Sequence, residues 1–260
     1  MKKEIFLSGS LLILIFFAMK GFAEEIHWAH DHQAEWGSIQ HPTETRIPEM
    51  YPFATCSIGQ RQSPVDLSIM SNQHKTNRLR IHYLPDHPVF FNSGHGVQVN
   101  TSENYAGKLV VGHEDYSLIQ FHFHEPSEHV IGDQSFPAEL HFVHVRDDGK
   151  IAVLGVLIGL GKENSTLQSI LDNIPSEAGE SRNDESINIH PEKLLPRNKR
   201  RVFSLAGSLT TPPCSEGVDW YILMESITIS EAQLLQLKAL YSENARLPQN
   251  LNGRVVTHQP

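Results

Sequence analysis

The chain has 260 residues, a formal net charge of −9 and 39% apolar residues. That apolar content is enough for a packed core and excludes general disorder. An acidic balance with no basic block of nucleic-acid type excludes a protein that tracks phosphates. The unusual feature is its 16 histidines, because imidazole titrates near neutrality and is the commonest metal ligand.

In chain order, Lys2 and Lys3 precede an apolar run from Ile5 to Met19, and Gly21-Phe22-Ala23 offers small residues for cleavage. The run is shorter than the about 20 residues that span a bilayer. Residues 1–23 are therefore expected to be a secretory signal peptide and residues 24–260 a single domain. Its destination would be the periplasm or the exterior, with no stable membrane insertion after cleavage. Export to an oxidising compartment favours a bridge between the two cysteines, Cys56 and Cys214.

Residues 24–60, punctuated by Pro42, Pro48, Pro52 and Gly59, read as irregular. From Leu79 to Val156, short β-rich runs alternate with turn signals such as Asn92-Ser93-Gly94 and Asp147-Asp148-Gly149. Ile151 to Leu160 is nearly all apolar, as expected of a strand buried on both faces. Ser165 and Ser230, each with a glutamine three residues on, are expected to cap two helices. Residues 176–200 are polar and charged and read as a surface loop. Strands outnumber helices and no βαβ alternation appears. The expected fold class is mainly β (α+β), a single domain on a large central, mostly antiparallel twisted sheet with short surface helices.

The chemistry concentrates in two of these runs. Gln120-Phe121-His122-Phe123-His124 alternates strictly, so Gln120, His122 and His124 share one strand face while the phenylalanines take the other. In Glu139-Leu140-His141-Phe142-Val143-His144, Glu139, His141 and Val143 share a face and His144 points away. If the two runs are neighbouring strands, His141 completes a three-histidine set, the composition of a catalytic zinc site with an open position. Gln120 and Glu139 stand two residues ahead of ligands on the same faces. They can accept the remaining ring N–H groups and so fix tautomer and orientation.

The runs Gln60-Arg-Gln-Ser-Pro-Val-Asp66, Asn92-Ser-Gly-His95, Gln120-Phe-His-Phe-His124, Ser127-Glu128-His129, Ala138-Glu-Leu-His-Phe-Val-His144 and Gly207-Ser-Leu-Thr-Thr-Pro-Pro213 resemble, in order and separation, the alpha class of carbonic anhydrases. The resemblance covers nearly all of the chain after residue 23, and the paired cysteines and leading segment look like the secreted bacterial members. It implies reversible hydration of carbon dioxide to bicarbonate and a proton by attack of a zinc-bound hydroxide. His122, His124 and His141 would hold Zn2+ as the cofactor, carbon dioxide or bicarbonate would be the partner, and no nucleic acid is expected. Oligomeric state stays open.

The same resemblance implies that Thr210 accepts a hydrogen bond from the hydroxide and donates its own to Glu128, because a hydroxyl so placed admits only a protonated oxygen at the metal. Thr211 would line the polar side. Val143, Val153, Leu209, Val218 and Trp220 would form the apolar wall for a substrate that offers almost nothing to hydrogen-bond. His95, flanked by Gly94 and Gly96, matches the family's shuttle histidine and is expected to be mobile and solvent-facing.

Two departures fall on the outer solvent network. Trp28-Ala29-His30 stands where members often have Trp-Gly-Tyr, with the tyrosine in the proton network. Phe203-Ser204-Leu205-Ala206 replaces an aromatic-rich run. The nearby His27, His30 and His32 are expected to be solvated rather than metal-binding. A cupin-type dioxygenase competes through His122-x-His124-x-x-x-Glu128, but Tyr116 and Ser135 stand where its flanking glycines belong. A non-enzymatic derivative of the anhydrase fold would typically have lost a ligand histidine, and none is lost here.

Overall fold

The computed structural model describes residues 26–68 and 78–259; the expected signal peptide lies outside the described residues. The strands are β1 (Leu79–His82), β2 (Val89–Asn92), β3 (Val97–Asn100), β4 (Lys108–Val111), β5 (Glu114–His124), β6 (Val130–Ile131), β7 (Gln134–Ser135), β8 (Ala138–Val145), β9 (Ile151–Leu160), β10 (Ser181–Asn183), β11 (Val202–Ser208), β12 (Glu216–Ile229) and β13 (Thr257–Gln259). The helices are α1 (Thr55–Ile58), α2 (Ser165–Leu171) and α3 (Glu231–Leu240), with 3-10 segments at His30–Ser38 and Pro191–Leu194. The main sheet runs β10-β2-β3-β5-β8-β9-β12-β11-β13, with β4 and then β1 beside the first half of β5. Its pairings are antiparallel except β9 with β12, which is parallel.

Alternation divides the residues of the central strands between two cores. Phe121 and Phe123 of β5, Leu140 and Phe142 of β8, and Leu154 and Val156 of β9 lie on one face, packed with Leu167 and Ile170 of α2 and Leu237 of α3. Burying each such side chain contributes about 1.5–3 kcal/mol before conformational entropy is subtracted. The opposite face carries Val143, Val153, Leu157, Val218, Trp220 and Ile222, closed by Val65, Leu67 and Phe203. The histidine set stands on this second face.

A bulge sets the phase of β5. The register with β8 slips between Leu118 and Gln120, and Ile119 is left 43% exposed. Leu118 thereby stays in the first core with Phe121, while Gln120, His122 and His124 turn to the other side. Gly155 of β9 sits opposite His141. A Cβ there would lie 3.2 Å from Glu139 Oε1 and from Ile222 Cγ1, so the absent side chain makes room for a buried carboxylate.

Three sequence expectations need correction. The cap of α2 is Asn164, one residue earlier than Ser165: its Oδ1 accepts the N–H groups of Thr166 and Leu167 at 3.0 and 3.1 Å from an extended backbone. Ser230 does cap α3, in a reciprocal pair with Gln233. Residues 176–200 are more than a surface loop, since β10 pairs with β2 and Ile189, Leu194 and Leu195 are buried. The stretch read as irregular holds the 3-10 segment that buries Trp36.

Candidate metal centre and active site

β5 and β8 pair with His122 directly opposite His141 and His124 opposite Glu139. The three imidazoles surround one point, with ring centroids 5.0 Å (His122–His124), 5.3 Å (His122–His141) and 4.7 Å (His124–His141) apart. One ligating nitrogen from each lies within 4.8 Å of the others. The second nitrogen of every ring is committed to the protein. His122 Nδ1 meets Gln120 Oε1 at 2.8 Å, His124 Nδ1 meets the Asn244 carbonyl at 2.8 Å, and His141 Nε2 meets Glu139 Oε1 at 2.9 Å. Each acceptor fixes a tautomer and leaves the opposite lone pair aimed inward. His124 Nε2 is buried with no hydrogen-bond partner among the described residues, which fits an electron-pair donor for a cation.

Charge favours the same reading. Burial, reinforced by the neighbouring imidazoles, holds His122 well below its usual value, and burial holds His124 below it too despite Glu128. Both therefore stay as the free bases that ligate metals. Burial would also depress His141, but Glu139 overcomes it and raises that ring. Glu139 is fully enclosed. Its Oε2 accepts the backbone N–H groups of Glu128 and His129 at 2.9 and 2.8 Å, and its Oε1 faces His129 Nδ1 and His141 Nε2 at 2.8 and 2.9 Å. Burial alone would raise its pKa, yet His129 and His141 hold it well below the carboxylate range. His129, Glu139 and His141 also lie within ligand distance of one another, but the carboxylate is saturated by these four donors and has no lone pair left for an ion.

Glu128 is fully buried beside the inward nitrogens of His124 and His141. Its Oε1 accepts the Arg246 N–H at 2.9 Å, and its Oε2 lies 3.5 Å from His124 Nε2 and 3.8 Å from His141 Nδ1, with no hydrogen-bond partner among the described residues. Thr210 is buried and Thr211 half-buried on the turn that follows β11. Val143, Val153, Val218 and Trp220 belong to one apolar cluster with Leu209 against it. The Trp220 ring stands 4.8 Å from His141, so the wall borders the histidine centre.

His95 lies in the turn between β2 and β3, where Gly94 takes φ +79, a left-handed conformation that suits glycine. The ring is half-buried rather than solvent-facing, stacked on Trp28 at 3.8 Å and 12°. His27 and His32 are exposed, but His30 turns inward beside Trp28, Trp36 and His95. Among the described residues, no group of three metal-capable side chains includes any of the three. Cys56 and Cys214 form a disulfide.

Sequence reasoning missed Asn244, Arg246 and the role of His129. Asn244 offers its carbonyl to His124, accepts the Glu125 N–H at 2.7 Å through Oδ1, and donates through Nδ2 to the carbonyls of His95 and Phe123 at 2.9 and 3.2 Å. A backbone acceptor 120 residues from its ligand has no residue-type signature. The signal for His129 was its place in Ser127-Glu128-His129.

A sheet face with three converging imidazoles, an enclosed carboxylate and an apolar wall defines the class of mononuclear metal enzymes with one open coordination side. A model of the family described as eukaryotic-type carbonic anhydrase matches residues 44–260. A carbonic anhydrase of Nostoc sp. is 38% identical over 226 residues, covering 85% of this chain and 84% of its own. One from Neisseria gonorrhoeae is 36% identical over 250 residues, covering 95% and 93%. The alpha-carbonic anhydrase of Thermovibrio ammonificans, solved with the inhibitor sulfanilamide, superposes with a TM-score of 0.79 at 36% identity, covering 89% of this chain and 99% of that one. The chain belongs to the eukaryotic-type, or alpha, carbonic anhydrase family.

Proposed function

We propose that His122 Nε2, His124 Nε2 and His141 Nδ1 hold one zinc ion for the family's reaction, the reversible hydration of carbon dioxide to bicarbonate and a proton. The observation that carries the assignment is the committed second nitrogen on every ring, which leaves three lone pairs on one point. Three neutral nitrogens with an open side suit zinc better than harder or softer ions. When bound, the ion supplies Lewis acidity that lowers the pKa of water to about 7.

The remaining work belongs to side chains. In this reading the Thr210 hydroxyl donates to Glu128 Oε2, a buried oxygen without a hydrogen-bond partner among the described residues. With that proton committed, the Thr210 oxygen can only accept, and so selects an O–H group and orients it toward substrate. Val143, Val153, Leu209, Val218 and Trp220 receive the nonpolar gas, and Thr211 borders it on the polar side. His95 takes the released proton toward solvent. The disulfide suits an extracytoplasmic protein, which is the compartment proposed for residues 24–260 after removal of 1–23.

Zinc content and stopped-flow hydration test the reading together. The parent is expected to hold one zinc per chain, and His141→Ala to lose most of its metal and its rate. A His141→Ala protein with full zinc occupancy and full activity overturns the assignment.

A further inference from the structure

We propose that the loop before β11 is a docking surface for the phosphate-bearing face of an anionic lipid bilayer, with Arg197, Arg200 and Arg201 as its contacts. Residues 193–201 carry five cations, Lys193, Arg197, Lys199, Arg200 and Arg201, and no carboxylate, in a chain whose net charge is −9. Lys199 is spent on Glu192. The other four are exposed and, among the described residues, reach no carboxylate. Elsewhere on the surface Lys108, Arg146, Lys150 and Lys238 each do.

The loop is held in place from both sides. Leu194, Leu195 and Pro196 are buried ahead of it. Behind it the Arg201 carbonyl accepts the Met224 N–H at 2.9 Å, one step before β11 begins its pairing with β12. Asn198 Oδ1 accepts the Arg200 N–H at 3.1 Å and tightens the turn between them. The turn after β9 comes against the same segment, because Asn164 Nδ2 donates to the Lys193 carbonyl at 3.3 Å. That turn adds the exposed Lys162 and follows Leu160, which is 51% exposed. Against these five unpaired cations the adjoining chain sets Glu163 and Glu225, a local excess of three positive charges.

Charge chemistry selects the partner. Guanidinium forks match phosphate oxygens, and a bilayer offers them on a plane, which a cluster on one loop can meet from one side. Screening over about 8 Å at physiological salt lets the cluster act on a surface that the more distant carboxylates no longer repel. A nucleic acid fits worse, since residues 193–201 hold no aromatic side chain on which a base could stack. No helix among the described residues is long and apolar enough to cross a membrane, so the contact is peripheral. It also stands clear of the metal centre. Register runs from His141 through Gly155 and Ile222 to Phe203, three strands or about 14 Å across the sheet, and Arg201 lies two residues further on. Carbon dioxide, being apolar, favours hydrocarbon over water, so this contact places the proposed hydration where the gas leaves the lipid.

Co-sedimentation with vesicles supplies the test. The chain freed of residues 1–23 is mixed with vesicles of phosphatidylcholine, alone or with about a third phosphatidylglycerol, at about 0.02 M and about 0.5 M salt. The parent is expected to pellet with the anionic vesicles at low salt only, and not with phosphatidylcholine alone. Arg197→Ser, Arg200→Ser and Arg201→Ser combined should weaken that binding about 100-fold, at about fivefold for each cation removed. Arg46→Ser, Arg78→Ser and Arg80→Ser combined removes the same charge from exposed positions elsewhere and should weaken it by less than about threefold. Both variants should keep parent zinc content and parent hydration rate in vesicle-free solution, which separates failure here from failure of the metal assignment.

A parent that stays in the supernatant with anionic vesicles at low salt, equal pelleting with neutral lipid, or equal weakening by the two triple variants overturns the proposal. So does salt-sensitive retention on a DNA duplex without retention on vesicles, which would make the partner a nucleic acid. Should the Arg197, Arg200 and Arg201 variant fail to fold, Arg200→Gln alone decides: about fivefold weaker binding supports the docking surface, and parent binding overturns it.

Discussion

Glu139→Gln tests the reading of the buried carboxylate most sharply, because the change keeps shape and removes charge. Each carboxylate oxygen accepts two N–H groups, Oε2 from the backbone of Glu128 and His129 and Oε1 from the rings of His129 and His141. An amide nitrogen must replace one of them. Against the two backbone donors it can do nothing but repel, and two stranded donors cost about 1–3 kcal/mol each. Against the two rings it can donate, provided each imidazole moves its proton to its other nitrogen. His129 can do so, since its Nε2 has no hydrogen-bond partner among the described residues. For His141 the shift places a proton on Nδ1, the atom assigned to the metal.

The second orientation is cheaper, so Glu139→Gln should lose about 1–2 kcal/mol as metal-free protein and about 10- to 100-fold in zinc affinity. Urea unfolding and competition with a zinc chelator measure the two quantities. A variant with parent zinc affinity and parent stability would refute both the tautomer argument and the place of His141 among the ligands.

Glu128→Gln should retain zinc while hydrating carbon dioxide more slowly, because the proposed role of Glu128 is to accept from Thr210 and not to ligate; metal loss in that variant would make the carboxylate a ligand. Replacing Cys56 and Cys214 together with serine removes a cross-link spanning 158 residues. It should cost about 5 kcal/mol in the chain-entropy model, read by urea unfolding with and without reductant. His144 is held to about 3 by burial, from 6.5. The unfolded chain therefore binds a proton that the folded one refuses, and stability falls as pH drops from 6.5 towards 3, by up to about 1.4 kcal/mol per unit. His144→Leu should flatten that slope in urea titrations across pH, and an unchanged slope would show that His144 is not among the groups responsible.

What was legible in the sequence followed from periodicity. Gln120 to His124 and Glu139 to His144 alternate, and alternation alone assigns Gln120, His122 and His124 to one face and Phe121 and Phe123 to the other. The pairing of His122 with His141 lies beyond any single-strand pattern, since register comes from contacts between strands. The bulge at Ile119 was likewise hidden, because it changes the phase between two runs that each look regular. At α2 the Ser165–Gln168 spacing mimicked a cap, while Asn164, as good a capping residue, held the position. Residues 176–200 concealed Ile189, Leu194 and Leu195 among charges, and a few anchors under a polar segment leave too little pattern to read. The inward turn of His30 depends on Trp28, Trp36 and His95 meeting around it, which is tertiary information.

Asn244 and Arg246 tie the centre to the order of synthesis. The carbonyl that sets the tautomer of His124 and the N–H that holds Glu128 belong to residues made 120 and 118 positions after the groups they hold. A ribosome or translocation channel still gripping this stretch withholds both, even when every histidine has already emerged. Such a nascent chain can present three imidazoles, but not three imidazoles with fixed tautomers and a restrained carboxylate behind them. Competence for the metal therefore waits on residues 244–246, and a stalled or clipped product lacking them would carry the full ligand set yet bind the ion poorly.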